Sequence, residues 1–287
     1  MSFCAQDSFK NIEETCSIIN SGTQTYFSLQ ISIDNESSQI GRLRNHRAVV
    51  QYCMDKIWRR FGLSKDKPAP SCLALRQFSG KYWIKPSTSP SPFKTYCRVG
   101  GWTLIMKIDG AKQTFSYNSS YWTSKTTFNE DFIEFDGNET KLASFWSLPF
   151  EELLLGMKTG STLRWITVQK KAISLRSIIL GNTFQSTEIG CEVWKSLVPD
   201  SSLQRYCNKE GFNVQFGNDD RVRIGISSND QNDCNSNDSW LGFGGFSRNA
   251  PCGLPDSSDL ITCGNSAGCS PDNGDKIIAS IGYIFAR

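Results

Sequence analysis

The sequence predicts an α+β fold class with a small separate N-terminal region, on three observations. From Cys72 onward the chain reads as short apolar runs between turn residues, the pattern of short strands. The stretch from Arg42 to Phe61 carries helical spacing instead. Eleven cysteines are scattered through 287 residues at wide, irregular intervals. Hydrophobic residues at 38%, aromatics at 12% and charges at 21% describe a globular chain able to bury a sizeable core. A formal charge of +3 is too small to argue for a nucleic-acid or acidic-membrane partner. No run of about 18 apolar residues occurs, so no transmembrane helix is expected.

The N-terminal region spans residues 1–66. Gln24 to Ile33 alternates, with Tyr26, Leu29, Ile31 and Ile33 apolar, and predicts one or two strands. Val50, Cys53, Ile57 and Phe61 then recur at intervals of three and four, beside Arg42, Arg44, Arg47, Lys56, Arg59 and Arg60. A basic helix that binds membrane or nucleic acid is the sharper reading. A helix with one buried stripe and a solvated basic face is the plainer one, and it is preferred. Ser64-Lys-Asp-Lys-Pro-Ala-Pro70 reads as a polar linker and sets the boundary of a second domain, residues 67–287.

In that domain Trp102 to Ile108, Thr162 to Val168, Val222 to Ile226 and Ile277 to Ala286 read as strands, and Phe150 to Leu155 as the start of a short helix. After Gly217 the chain is rich in Gly, Asn, Asp and Ser, which predicts long ordered loops.

The cysteines, at 4, 16, 53, 72, 97, 191, 207, 234, 252, 263 and 269, include no C-x-x-C pair, so a zinc knuckle is not indicated. Their spacing fits disulfides made in an oxidising compartment, and the expected location is extracellular. Sequons at Asn35, Asn118, Asn138 and Asn237 agree with that. The start, Met1-Ser-Phe-Cys-Ala-Gln-Asp7, has no basic and apolar leader pattern, and a truncated start is the expected reason. The odd cysteine count would then follow from a missing partner or from a disulfide-linked oligomer.

Catalysis is not expected. The one histidine, His46, lies in the basic stretch, and no nucleophile elbow, H-E-x-x-H, Walker or dinucleotide motif is present. Adjacent acids such as Glu130/Asp131 and Glu151/Glu152 read as solvated surface. The oxygen-rich segments carry more chemistry. Residues 218–238 contain Asp230, Asp233, Asn235, Asn237 and Asp238 among ten Asn and Asp, and a second group lies at Asp272-Asn-Gly-Asp275. Calcium takes six to eight oxygens from such side chains and from carbonyls, although the EF-hand spacing is absent. The competing reading is that Asn, Asp and Gly simply make turns. Most tryptophans are expected in the core; Trp240, between the acidic segment and Gly242-Phe-Gly-Gly245, offers a ring on which a sugar stacks.

Cys72, Tyr82-Trp-Ile84, Phe93-Lys-Thr-Tyr-Cys97 and Gly100-Gly-Trp-Thr-Leu104 together resemble the opening of a fibrinogen C-terminal-like domain. The resemblance implies a mostly antiparallel sheet with calcium-bearing loops. It also implies a Cys72–Cys97 disulfide closing about 25 residues, which contributes roughly 3 kcal/mol. Further on, Cys234-Asn-Ser-Asn-Asp238, Leu241 to Gly245, Cys263-Gly264 and Ile278 to Arg287 are similar in order to the intelectin branch. Trp102 to Tyr117, Lys141 to Met157 and Ser201 to Val214 also resemble a group of secreted cnidarian proteins, some from coral skeletal organic matrix. Intelectins are calcium-dependent lectins that hold a glycan diol on the ion. The resemblance puts Asn235, Asn237, Asp238 and Asn265 at ligand positions. Asp238 stands where the family has histidine and Asn265 where it has an acid, and the segment after Cys269 is too short for the family's sugar-stacking aromatics. Cys97-Arg-Val-Gly-Gly101 lacks the acid usual before that glycine pair. The expected function is therefore non-enzymatic recognition of extracellular glycans or glycoproteins through calcium. The alternative is a structural matrix component without a discrete sugar site.

Overall fold

In this computed structural model the described residues are 12–21, 24–33, 61–76, 78–215, 220–232, 234–247 and 261–287. Asp233, Asn35 and nearly all of the basic stretch at 42–61 lie outside them. The described residues form antiparallel sheet joined by short helices and irregular loops. In the N-terminal region β1 (Ile12–Ser21) pairs with β2 (Gln24–Ile33), which is the alternating segment.

The first large sheet is built from β3 (Gly80–Ile84), β4 (Phe93–Arg98), β5 (Trp102–Asp109), β6 (Thr140–Lys141), β7 (Phe150–Thr159), β8 (Thr162–Ala172) and, from the chain's end, β15 (Ile281–Ala286). Its order is β3-β4-β5-β15-β7-β8, with β6 paired to β5, so the last strand is inserted between two earlier ones. The second sheet runs β14-β13-β12-β11-β10-β9. Its strands are β9 (Gln185–Ser186), β10 (Tyr206–Gln215), β11 (Arg221–Asn229), β12 (Ser239–Phe246), β13 (Cys263–Ala267) and β14 (Lys276–Ala279). Helices α1 (Ser144–Ser147), α2 (Leu175–Leu180) and α3 (Cys191–Lys195) are short. Ser174 caps α2, its hydroxyl accepting from the Ser177 amide.

Three sequence expectations are corrected here. Phe150 to Leu155 belongs to β7 rather than a helix. β7 buries Leu153, Leu155 and Met157 in the core between the sheets and Leu154 on the outer face, and a strand covered on both faces loses the alternation that would identify it. The Gly, Asn and Ser-rich stretch after Gly217 is not mostly loop, because it contains β11, β12 and β13. The proline-bearing linker is folded: the Ala69 amide donates to the Trp83 carbonyl, the Lys85 amide to Ala69, and Phe61 packs with Ala69, Cys72, Leu75, Ile84 and Cys97.

One apolar core serves both large sheets. Ile105, Met106, Leu153, Leu155, Ile166 and Ile284 face Phe212, Ile224, Leu241 and Phe243, with Phe145, Ile178, Ile179 and Trp194 supplied by the helices. Ser280 alone separates β14 in one sheet from β15 in the other, so the segment read as one strand serves two sheets. The outer face of the first sheet carries Trp102, Leu104, Leu154, Tyr283 and Phe285. An irregular strap, residues 129–138, covers it. Phe135 stacks on Phe285 at 5.7 Å, Lys107 pairs with Asp136 beneath the strap, and Lys81 pairs with Glu134 at its edge.

The second sheet is folded on itself along a row of glycines. Gly211 is paired with Gly225, Gly225 with Gly242, and Gly242 with Gly264, across β10 to β13. A Cβ on any of the four would collide with a carbonyl oxygen of the neighbouring strand. The bend is visible in what it brings together. Asn237 Nδ2 donates both to Ser227 Oγ and to the Asp220 carbonyl. Those two groups would be about 23 Å apart on a straight strand. Likewise Trp240 lies over Gly245, and its indole N–H reaches Ser247 Oγ at 3.0 Å. Glycine inside a strand commonly marks such a close approach of backbones.

One buried cation has no carboxylate facing it among the described residues. Lys141 is 0% exposed; its Nζ donates to the carbonyls of Ser124 (2.8 Å) and Thr126 (3.0 Å) and lies 4.7 Å from the Phe145 ring centre. Burial, with Arg176 as a smaller cause, lowers its pKa to about 8. Below pH 8 the ammonium is charged in both folded and unfolded chains, so its burial penalty is fully present. Between about 8 and the ordinary 10.5 the unfolded chain holds the extra proton, and stability from this group rises with pH. In urea titrations at pH 7 and pH 9.5, wild type is expected to gain stability relative to Lys141→Met. An equal response of the two proteins would contradict this placement of the ammonium.

Candidate functional site

The oxygen-rich segments meet at one end of the second sheet. The β11–β12 connection, 230–238, the segment 200–205 and the segment 268–275 converge there through main-chain bonds. The Gly268 amide donates to the Asp238 carbonyl, the Asp238 amide to Ser228, and the Asp272 amide to Leu203. Gln204 Nε2 bonds the carbonyls of Gly268 and Cys269. A Cys207–Cys234 disulfide ties β10 to the acidic connection and closes a 27-residue separation. On chain-entropy grounds that is worth about 3 kcal/mol. Cys269 is also disulfide-bonded, and Cys207, Cys269 and Ser270 all have left-handed backbone. The loops are thus held by covalent links at positions where the backbone turns sharply.

The expected ligand residues divide into two groups. Asp230, half-buried just after β11, has its amide bonded to Asn229 Oδ1, and its own Oδ1 is buried without a hydrogen-bond partner among the described residues. Asn237 is 3% exposed and its Oδ1 likewise takes no hydrogen bond from the described residues, while its Nδ2 is fully used. Asn235 is exposed and Asp238 half-buried on the same connection.

The second group is occupied by the protein itself. Asn265 is 0% exposed; its Oδ1 accepts from the Ser202 amide at 2.7 Å and its Nδ2 donates to the carbonyls of Ser202 and Trp240. Asp272 accepts from the Leu203 amide at 3.0 Å and pairs with Lys195 at 2.5 Å. Both residues hold the 200–205 segment in place. Asp275 Oδ1 accepts from the Ser270 amide at 3.1 Å and shapes its own turn. Among the described residues no three carboxylate, thiol or imidazole side chains come together. An ion here would draw on amide and main-chain oxygens as well as on Asp230 and Asp238.

Trp240 is also corrected. It is 0% exposed, packed with Val214, Val222 and Ile261, so it presents no face to a sugar. The bend at Gly242 buries it, and nothing local in the sequence announces that. Ser202 and Gln204, which organise the site, carry no motif that marks them in the sequence. Cys72 and Cys97 are bonded to each other, and Cys191 and Cys263 are free. Asn118 and Asn138 are exposed as glycan acceptors must be, whereas Asn237, also in a sequon, is buried. Among the described residues no helix is long and apolar enough to cross a membrane.

Fold and site define an antiparallel β protein with disulfide-tied, oxygen-rich loops at one end of its second sheet. No family model matches the chain, and no curated protein matches it.

Proposed function

We propose that the chain is a secreted, non-enzymatic recognition protein of the fibrinogen-like, intelectin-like type, which binds glycans or glycoproteins through calcium on the 230–238 connection. The observation that carries the reading is the pair of buried side-chain oxygens, Asp230 Oδ1 and Asn237 Oδ1, that no donor among the described residues meets. Buried acceptors are nearly always satisfied, and a hard cation satisfies an oxygen as well as an N–H does. Asp230 and Asn237, with Asp238 and the exposed Asn235, supply the oxygen donors calcium prefers; Asn265 and Asp272 do not belong to the set. With Trp240 in the core, affinity for sugar would come from hydroxyls on the ion rather than from ring stacking. The disulfides agree with an oxidising, extracellular setting.

Titration calorimetry of the purified chain with calcium tests this directly. Wild type is expected to take up calcium, and Asp230→Ala and Asp238→Ala each to weaken uptake by about tenfold or more. Chelator-sensitive binding on a glycan array would complete the case. No uptake by wild type would remove the lectin mechanism and put the structural matrix reading ahead.

A further inference from the structure

A cleft of about 310 Å³ opens on the outer face of the first sheet, well away in the sequence from the 230–238 connection. It lies where β5, β15 and β7 end together. Asp109 is paired with Ile281, and Ile281 with Lys158, so the three side chains stand in a row on one face. Asp109 and Lys158 therefore flank Ile281 across two strand spacings, roughly 10 Å. Tyr283, two residues along β15, shares that face and lies beside Ile281, its hydroxyl donating to the Asp136 carbonyl at 3.3 Å. Ser280 and Thr159, beside that row, bond to each other through their hydroxyls at 2.7 Å, and Ser280 is only 3% exposed. The strap ends above the cleft at Gly137, where a Cβ would meet nothing within 4 Å.

The charges in the cleft are not balanced. Asp109 is committed, with Oδ2 paired to Lys112 at 3.2 Å and Oδ1 accepting the Ala111 amide at 3.1 Å. Glu139, behind it, accepts the Asp109 amide, and burial pushes its carboxyl pKa up. Lys158 makes no ion pair among the described residues and is exposed to the cleft. The cleft thus offers one uncommitted cation at one side, carboxylate oxygens at the other, and an apolar floor of Ile281 and Tyr283 between. Its volume is at the lower bound of the roughly 300–1,000 Å³ typical of small-molecule sites, enough for one substituted ring and not for a chain.

From this arrangement we infer that the cleft is a binding site for a single acidic sugar unit, with the sugar's carboxylate or sulfate on Lys158, a hydroxyl on Asp109, and one ring face on Ile281. This site shares no residue with the proposed calcium connection and does not depend on it.

The test uses the whole chain in excess EDTA, which silences any calcium site. Sodium glucuronate, N-acetylneuraminate and glucose 6-sulfate are titrated, with glucose as the neutral control, by ligand-observed NMR. At least one acid is expected to bind with Kd near the millimolar range, about tenfold tighter than glucose. Which acid binds separates a carboxylate from a sulfate ligand. Lys158→Gln is expected to reduce that acid to the glucose level, and Gly137→Phe, whose added ring enters the cleft, to remove binding. Thermal melts check that both variants fold; if Gly137→Phe does not, Lys158→Gln alone decides. Acids that bind no better than glucose, an absence of acid binding, or wild-type affinity in Lys158→Gln would each overturn the assignment. Calcium binding with no acid binding would remove this site and leave the proposed function standing.

Discussion

Gly242→Ala is expected to lower the stability of the folded chain by about 3–5 kcal/mol, enough to threaten a domain of ordinary stability. Two costs combine at that position. Its φ of 156° is one that residues with a side chain rarely adopt, and its Cβ would strike the Ile224 carbonyl across the strand pair. Gly225→Ala separates the two costs, because Gly225 lies in the same row without a left-handed φ; it is expected to lose about 2–4 kcal/mol from the collision alone. Gly160→Ala supplies the other limit: φ is 58° but the space is open, so about 1 kcal/mol is expected. Gly137→Ala, with open space and no left-handed φ, should be close to neutral. Guanidinium unfolding of the four variants measures the series. If Gly242→Ala and Gly137→Ala unfold at the same midpoint, the strands do not approach as described and the folded sheet is wrong.

The glycine row also explains which parts of the molecule could be read in the sequence. β5, β8 and β11 were legible because Trp102 to Ile108, Thr162 to Val168 and Val222 to Ile226 bury apolar side chains, and apolar side chains leave a pattern. β12 also buries Trp240, Leu241 and Phe243, but the glycines at 242, 244 and 245 interrupt their alternation, so Ser239 to Phe246 reads as loop although nearly every residue in it is buried. The burial of Trp240 follows from the same bend, since the ring is covered by residues 245 and 247 only after the strand turns back. The oxygen-rich connection could be seen as a cluster of calcium-type donors, but not which of them the protein had already used. Asn265 and Asp272 are engaged by Ser202 and Leu203, which lie more than sixty residues earlier in the chain. Spacing alone likewise does not pair Cys207 with Cys234. The cleft beside Lys158 is composed by register across three strands, and no stretch of sequence contains it.

Glu210→Ala is expected to cost about 3 kcal/mol, far more than its half-exposed position on β10 suggests. One carboxylate there serves four donors. Oε2 accepts from the Trp194 indole at 2.7 Å, Thr187 Oγ1 at 3.0 Å and the Ile189 amide at 3.2 Å, and Oε1 from the Gly190 amide at 3.0 Å. Trp194 is fully buried, so truncation would leave its N–H without water or a protein acceptor, and that orphaned donor is the largest part of the expected loss. The segment from Thr187 to Gly190 would lose its anchor to β10 at the same time, and with it the placement of α3, whose Lys195 holds Asp272. Glu210→Gln is expected to lose about half as much, because an amide keeps one acceptor but turns its NH₂ toward donors. Glu151→Ala is the contrasting case. Its ion pair with Lys171 is exposed on both sides, and screening by water should leave no measurable change. Equilibrium unfolding of these variants beside Trp194→Phe decides the matter through a double-mutant cycle. If Glu210→Ala costs as much in the Trp194→Phe background as in wild type, the indole bond contributes nothing, and Glu210 acts on the two backbone amides and Thr187 alone.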